Sequence, residues 1–319
     1  MDPPFVSVIV PTRDRPDTLE ACLRSLLACE YDGRYEIVVV DNRPSSAPAR
    51  DVVAKLDGDI PVRYTTCRLP GQAHARNQGI RESAGDPLLF TDDDVVVDAG
   101  WIAESVSGFD DPRVGCVTGR VVPLELETEA QSLLEQFGGY AKGVEPLLFD
   151  LAENRPRDPL FPYNAGRFGT GGAMAFRRRV LEELGGFAPI TCEGVTLAED
   201  LDAFLRTILL GHAIAYRPAA VVYHRHRRDY DDLRTQVRYY GMAVTALLTK
   251  TILERPSVAL ELARRAPAGL RYALSDSSPK NRNRSPAYPR DLKRAELGGF
   301  LVGPWAYLRD RRRSARRQA

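Results

Sequence analysis

The 319-residue sequence predicts an α/β protein with a sheet of parallel strands, flanking helices and a helical C-terminal part. The first observation is a strand–helix–strand unit, with strands at residues 5–10 and 36–40 around a helix whose apolar residues recur every three or four positions. Asp17 or Thr18 is expected to cap that helix. The second observation is the apolar run at residues 88–90, which is typical of a buried parallel strand. The third is the helical spacing of apolar residues between 233 and 274.

Composition limits the class of protein. The charged fraction of 27% and the apolar fraction of 44% are ordinary for a globular chain. The net charge of +1 gives no overall field that would favour a nucleic-acid partner. The five cysteines are scattered and lack metal-ligand spacing. There is no signal-peptide pattern and no apolar stretch of about 20 residues, so a cytoplasmic location is expected.

Carboxylates follow two of the predicted strands. Asp92, Asp93 and Asp94 come directly after the strand at 88–90, and Asp41 follows the strand at 36–40. The carboxyl ends of parallel strands form the ligand-binding edge of open α/β sheets. Three adjacent carboxylates repel one another unless a cation offsets them, and oxygen ligands suit Mg²⁺ or Mn²⁺. An inert acidic turn is the alternative.

Neither G-x-G-x-x-G nor G-x-x-x-x-G-K-[ST] occurs, which argues against a dinucleotide enzyme or a P-loop NTPase. Instead, four segments follow the order and spacing of a known family: 6–12 (VSVIVPT), Asp41, 75–79 (ARNQG) and 91–94 (TDDD). On these motifs the chain resembles the inverting, GT-A-fold glycosyltransferases of family 2. The resemblance implies a Rossmann-like mixed sheet with flanking helices over residues 1–228. A helical C-terminal extension with a basic tail would follow over residues 229–319.

The resemblance also implies a reaction. A metal-dependent enzyme of this kind moves a sugar from a nucleoside diphosphate sugar to a hydroxyl of a glycan, a lipid-linked acceptor or a small molecule. The products would be a cell-envelope polysaccharide, a glycolipid or a secondary metabolite. Carried over by position, Asp94, His224 and Asp92 would hold Mn²⁺ or Mg²⁺, and Asp200 would be the general base beside Glu199. The residues implied for nucleotide binding are Pro11, Thr12, Arg13, Asp41, Arg76, Asp92 and Asp93.

Each of these assignments has a plainer alternative. His226 lies two residues after His224, which leaves open which histidine binds metal. Acidic residues at 199–202 would be stabilised by a helix N-terminus without any catalytic role. Arg76 has the character of a solvated arginine on a helix. The glycine-rich segment at 168–176 either lets the backbone approach a sugar or diphosphate, or is a tight turn into a strand.

Other segments carry less information. We expect a helix at 125–136, a loop at 156–164, and short strands at 211–216 and 220–223. Residues 275–289, rich in Ser, Pro, Asn and Arg, predict a flexible linker. The interval 125–168 often faces the acceptor in the resembling family.

The C-terminal segment allows two interpretations. Residues 297–308 are apolar and aromatic, and they are followed by the arginines Arg309, Arg311, Arg312, Arg313, Arg316 and Arg317. Such a segment suits peripheral contact with an anionic membrane, here the inner face of the cell membrane. A helix packed on the domain, with a solvated tail, is the other interpretation.

Two rival functions stay open from the sequence. A nucleotidyltransferase that acts on sugar phosphates would carry a glycine-rich loop after the first strand, but residues 11–15 contain no glycine. A sugar-nucleotide or glycan-binding protein without catalysis would not need the full set of carboxylates.

Overall fold

A computed structural model describes residues 2–46 and 48–318, the last four of them as backbone only. Within these residues nine strands form one mixed sheet and two more form a hairpin. In chain order the strands are β1 (Val6–Thr12), β2 (Tyr35–Asn42), β3 (Val62–Cys67), β4 (Leu88–Phe90), β5 (Val95–Val97), β6 (Val114–Pro123), β7 (Leu147–Phe149), β8 (Met174–Phe176), β9 (Ile190–Cys192), β10 (Val195–Leu197) and β11 (Ala213–His224). The sheet order is β3-β2-β1-β4-β8-β6-β11-β5, with β7 beside β11, and β9 and β10 form the hairpin.

Helices cover both faces of this sheet. They are α1 (Pro16–Leu27), α2 (Pro48–Ala54), α3 (Gln72–Glu82), α4 (Trp101–Ser107), α5 (Glu129–Phe137), α6 (Arg178–Leu184), α7 (Glu199–Leu209), α8 (Tyr230–Glu254), α9 (Val258–Leu274) and α10 (Arg290–Gln318). The alternation of side chains along a strand divides the core into two layers. Val8 and Val10 pack with α1, α2 and α4, whereas Ile9 belongs to the layer that contains α3, α6, α7 and α8. The predicted α/β architecture with a mixed sheet and a helical C-terminal part is confirmed.

Strand direction determines where the carboxylates lie. β1, β2, β3 and β4 run parallel to one another, so the residues after them meet at one edge. β8 runs antiparallel to β4, with Met174 opposite Phe90. The glycine-rich segment before β8 therefore reaches the same edge as Asp92–Asp94, which we call the aspartate edge.

Two predicted helix starts differ from the structure. α1 begins at Pro16 and has no side-chain cap, so neither Asp17 nor Thr18 caps it. Proline fits the first position of a helix because its fixed φ suits the turn and no N–H is lost there. α5 begins at Glu129 instead of residue 125, because Thr128 and Gln131 form a capping box.

Two connections also differ. The predicted strands at 211–216 and 220–223 are one strand, β11, with an irregular register between Arg217 and Val221 that accommodates the intervening proline. The predicted linker at 275–289 is packed, with Ser278, Asn281 and Tyr288 buried. The Asn281 amide donates to the carbonyls of Ala273 and Ser275. This segment therefore forms an ordered turn, although its composition is typical of a linker.

The C-terminal helices share the core of the sheet. Met242 and Leu247 of α8 belong to the same buried apolar layer as Ile9 and Phe90. α10 lies along α8 so closely that a Cβ at Gly299 would be 2.1 Å from a backbone carbonyl of α8. In the part of the chain that the structure describes, no helix is long and apolar enough to cross a membrane.

Candidate active site

The aspartate edge is tied to the loop after β1. Thr12 Oγ1 donates to Asp93 Oδ2 over 2.7 Å, and the Arg15 guanidinium lies 3.2 Å from Asp93 Oδ1 and 3.0 Å from Asp94 Oδ2. Burial and the neighbouring charge of Asp94 raise the pKa of Asp93. Burial raises the pKa of Asp92 to about 6, although the charge of Arg76 opposes this rise. The charge on these three carboxylates is thus only partly offset by the protein.

Asp94 and His224 face each other across the edge. His224 lies at the end of β11, and its Nε2 is 3.6 Å from Asp94 Oδ1. Burial lowers the pKa of His224 to about 4, although the charge of Asp94 opposes this, so the imidazole is neutral near pH 7. Asp92 instead accepts hydrogen bonds from Gln72 Nε2 at 2.5 Å and Arg76 Nη2 at 3.1 Å, both on α3.

The aspartate edge offers ligands for a divalent ion. Among the described residues no three His, Cys, Asp or Glu side chains converge as a ready metal cage. A neutral imidazole and a carboxylate nevertheless provide two suitable ligands, and they lie beside acidic groups whose charge Arg15 and Arg76 offset only in part. Mg²⁺ and Mn²⁺ sites in nucleotide enzymes commonly take one or two protein ligands and complete their shell with phosphate oxygens and water. The residues fit an ion that binds together with a diphosphate.

A chain of hydrogen bonds continues behind His224. His224 Nδ1 and His226 Nδ1 are 2.9 Å apart, and His226 Nε2 is 2.9 Å from Glu135 Oε1. If Glu135 is ionised, His226 donates to it through Nε2–H and accepts from His224 Nδ1–H. The lone pair of His224 Nε2 then points toward Asp94. The structure thus directs His224, and not His226, toward the aspartate edge.

Arg76 lies at the centre of a buried network. Its side chain is 2% exposed, in contrast to the solvated arginine that a helix surface suggests. Nη1 is 3.0 Å from Glu199 Oε1, and Nη2 donates to Asp92 and to the Gly171 carbonyl. Burial raises the pKa of Glu199 to about 7, although the charge of Arg76 opposes this. One guanidinium therefore pairs with the buried carboxyl group of Glu199 and the partly buried one of Asp92.

The glycine-rich segment holds Asp200. Gly171 N–H donates to Asp200 Oδ2 over 2.7 Å, and Leu201 N–H donates to Oδ1 over 2.8 Å. A Cβ at Gly171 would lie 3.1 Å from that Oδ2, and one at Gly172 would lie 3.2 Å from Asp92 Oδ2. The two glycines thus leave open the space beside the carboxylates of Asp200 and Asp92. Ala198, at the start of α7, has φ of 54°, a left-handed conformation that costs energy and is concentrated at functional sites.

Asp41 lies at the end of β2 with part of its hydrogen-bonding capacity unused. Oδ2 accepts from the Tyr64 hydroxyl at 3.0 Å, while the buried Oδ1 has no partner among the described residues. Burial raises the pKa of Asp41. A buried acceptor without a partner is costly, so a donor from a ligand would satisfy it. Of the other residues assigned to the nucleotide, Pro11 is buried within β1 and Arg13 is solvent-exposed beside Asp14.

Several polar residues near the site could not be predicted as site residues from the sequence. Arg15 and Gln72 contact the aspartates directly, and Glu135 contacts His226. Burial lowers the pKa of Lys142 to about 8, although the charges of Asp200 and Glu135 oppose this fall. Gln72 adjoins the 75–79 motif, but the contact of Glu135 with His226 crosses 91 residues of chain and has no local signal.

Comparison with known proteins identifies the fold. A mannosyltransferase from Pyrobaculum calidifontis, in complex with GDP-Man and Mn²⁺, superposes with a TM-score of 0.60 at 20% identity, covering 95% of this chain and 87% of that one. Staphylococcus aureus TarS 1-349 in complex with UDP-GlcNAc gives a TM-score of 0.53 at 14% identity, covering 96% and 92%. The predicted GT-A fold is thereby confirmed.

Sequence comparison identifies the family. A pre-mycofactocin glycosyltransferase from Mycobacterium tuberculosis is 26% identical over 245 residues, which are 77% of this chain and 48% of that protein. The chain thus spans about half the length of this curated relative. The family model for glycosyl transferase family 2 matches residues 7–185. The model covers more than half of the sequence and includes both the β1 segment and the aspartate edge, so the chain belongs to glycosyl transferase family 2.

Proposed function

We propose that this protein is a divalent-metal-dependent, inverting glycosyltransferase that moves a sugar from a nucleoside diphosphate sugar to a hydroxyl acceptor. The observation that carries the proposal is the position of Asp200, which Gly171 holds next to the aspartate edge. A carboxylate able to accept a proton therefore lies beside carboxylates suited to a metal-bound diphosphate. Structural neighbours that hold GDP-Man or UDP-GlcNAc support this class of donor.

The nucleotide sugar would bind to residues at the carboxyl ends of β1, β2 and β4. Among the described residues nothing donates to Asp41 Oδ1, which can therefore accept a hydrogen bond from a ribose or base. Asp94 and His224 would hold the ion, with Asp92 and Asp93 directed to ribose, sugar or ordered water. When bound, the ion offsets the negative charge that develops on the diphosphate leaving group. The half-exposed Arg15, which now lies on Asp93 and Asp94, is free to turn toward the phosphates.

Asp200 acts as the general base in this proposal. Its carboxylate takes the proton of the acceptor hydroxyl as that oxygen bonds to the anomeric carbon. The bond from the anomeric carbon to the diphosphate oxygen breaks, and its electron pair stays on the diphosphate. One displacement on the face opposite to the leaving group inverts the configuration. Glu199 and Arg76 keep the start of α7 in place behind Asp200.

A thermal-shift experiment with UDP-, GDP- and dTDP-sugars, each with and without Mn²⁺, tests the donor site. A ligand that binds only the folded state at 100 times its Kd adds about 2.7 kcal/mol to the free energy of unfolding. We expect one class of donor to stabilise the protein, and to do so mainly with Mn²⁺. Asp94→Asn should lose the metal-dependent part of this stabilisation, whereas Asp111→Asn, at a partly exposed carboxylate before β6, should keep it.

Two outcomes would contradict the proposal. If no donor shifts the transition of a folded sample, the metal–nucleotide site is wrong. If a donor binds but is neither transferred nor slowly hydrolysed, the protein is a sugar-nucleotide-binding protein without catalysis.

Glu135→Gln tests the orientation of His224. Glutamine can donate as well as accept, so it no longer forces the lone pair of His224 Nε2 toward Asp94. Loss of such an outer contact typically weakens metal affinity by about 10- to 100-fold. We expect the Kd for Mn²⁺, titrated by electron paramagnetic resonance with saturating nucleoside diphosphate, to rise by at least about tenfold. Glu129→Gln on the exposed face of α5 is the matched control, and an unchanged Kd in Glu135→Gln would refute the role of Glu135.

A further inference from the structure

Helix α9 packs on the protein through a face that carries both apolar and polar side chains. Of its 17 residues only Val258 is buried. The inward side carries Glu261, which accepts a hydrogen bond from the Tyr163 hydroxyl at 2.8 Å, and Leu262, which packs on the core. Arg265 pairs with Glu261 and donates to the Pro159 carbonyl. The only acidic side chain of α9 is therefore engaged on the inward side.

The outward side of α9 is apolar. Leu260, Leu270 and Leu274 are 60%, 62% and 58% exposed, and Ala263 and Pro267 between them are exposed as well. Positions 260, 263, 267, 270 and 274 are spaced by three and four residues, so they form a single stripe along the helix. A contiguous apolar stripe on the surface of a folded protein marks an interaction site far more often than a scattered leucine does.

Exposed arginines lie beside this stripe. Arg264 and Arg271 are exposed next to the leucines, whereas the acidic neighbours Glu261 and Asp276 are paired with Arg265 and Lys293. Helix α10 shows the same combination, because Leu301 and Trp305 are 82% and 68% exposed and the arginines Arg311, Arg312 and Arg313 follow. The side chains of Arg316 and Arg317 lie outside the described residues.

We infer that the outward faces of α9 and α10 bind the surface of a lipid bilayer that contains anionic phospholipid. Leucine and tryptophan side chains enter the boundary between headgroups and acyl chains, and the arginines reach the phosphates. Each cation near such a surface adds to the binding, and the aromatic ring of Trp305 suits the headgroup level. A second copy of the chain is a poorer occupant, because self-pairing of the stripe would bring Arg264 and Arg271 close to their own counterparts.

The position of α9 connects this surface to the active site. Tyr163 and Pro159, which contact α9, belong to the segment that continues through Phe168 to Gly171, the residue that holds Asp200. If the proposed function holds, this surface also indicates the class of acceptor. The hydroxyl that Asp200 deprotonates is carried by a lipid-anchored molecule in the same bilayer.

Vesicle flotation with the full chain tests the surface. The probes are vesicles of phosphatidylcholine alone and of phosphatidylcholine mixed with phosphatidylglycerol. We expect binding to the mixed vesicles, weakened by salt, and little binding to phosphatidylcholine alone. The double variant Leu270→Glu/Leu274→Glu, and separately Leu301→Glu/Trp305→Glu, should each weaken binding by roughly a hundredfold, since two large apolar side chains are lost from the lipid contact. Leu210→Glu, at an exposed leucine after α7, is the matched control.

The outcomes are distinct. Absence of binding to the mixed vesicles, or binding that both double variants leave unchanged, would overturn the inference. A concentration-dependent dimer in light scattering that the α9 variant abolishes would assign the stripe to a second copy and would also overturn it. Donor-induced thermal shifts measured on the same variants report on the proposed function separately, because α9 and α10 contribute no residue to the donor site.

Discussion

Asp200→Asn is expected to lower the rate of sugar transfer by about 10²- to 10⁴-fold while donor binding stays unchanged. Asparagine is nearly isosteric and its side-chain oxygen can still accept the Gly171 N–H, so the glycine-rich segment should keep its position. The amide cannot take the proton of the acceptor hydroxyl. The loss should therefore appear in kcat, and the Kd of the donor, measured by calorimetry with Mn²⁺, should match that of the wild type.

The matched control for this experiment is Asp111→Asn, which changes a partly exposed aspartate paired with Arg113 away from the site. Its kcat should stay close to the wild-type value. If Asp200→Asn retains transfer within a few-fold of wild type, Asp200 is not the base and Glu199 becomes the candidate. If the variant loses donor affinity as strongly as it loses kcat, Asp200 supports the fold of the site instead of the chemistry.

Arg76→Met is expected to produce the largest loss of stability, about 3–5 kcal/mol in the free energy of unfolding near pH 8. The guanidinium is buried and is shared by Glu199 and Asp92, so its removal leaves the buried Glu199 and the partly buried Asp92 without their cation. Methionine fills part of the volume without forming hydrogen bonds. The folded state would therefore favour the protonated form of those carboxyl groups.

The same variant has a predictable pH dependence. Burial already raises the pKa of Glu199 to about 7 and that of Asp92 to about 6, and the loss of Arg76 removes the group that opposes both rises. A group with a raised pKa contributes stability below its unfolded pKa and loses it as the pH rises through the folded pKa. The cost of Arg76→Met should thus be small near pH 5 and large near pH 8.

Chemical denaturation at the two pH values measures this difference. Adding Glu199→Gln to Arg76→Met should recover part of the stability near pH 8, because one of the two uncompensated charges is gone. Arg81→Met changes an exposed arginine on the same helix and should cost little at either pH. An equal cost for Arg76→Met at both pH values would show that packing, and not charge, accounts for the loss.

Much of the fold and part of the site could be predicted from local sequence. The strand at 88–90 with its three aspartates, and the unit at 5–40, are short-range patterns whose geometry follows from the parallel sheet. The burial of Arg76 could not be predicted in this way. Its partners Glu199 and Gly171 are 123 and 95 residues away, and an arginine acquires a buried position only when such distant groups satisfy it.

The same reasoning explains the other differences. The role of His226 in orienting His224 could not be predicted from neighbouring residues, because its partner Glu135 lies 91 residues earlier in the chain. Residues 275–289 have the composition of a linker, yet the Asn281 amide satisfies the carbonyls at the end of α9 and keeps the turn in place. In α9 the helical period was evident from sequence, but the period alone does not reveal which face lies outward.

The buried pair between Lys250 Nζ and Asp202 Oδ1, 2.7 Å apart, joins α8 to the helix that carries Asp200. This contact bears on how the family can diversify by recombination. A crossover near residue 228 that replaced Lys250 with an apolar residue of a distant relative would leave Asp202 paired only with Arg206 of its own helix, and would disturb the helix that carries the base. Successful chimeras should therefore inherit both Asp202 and Lys250 from one parent.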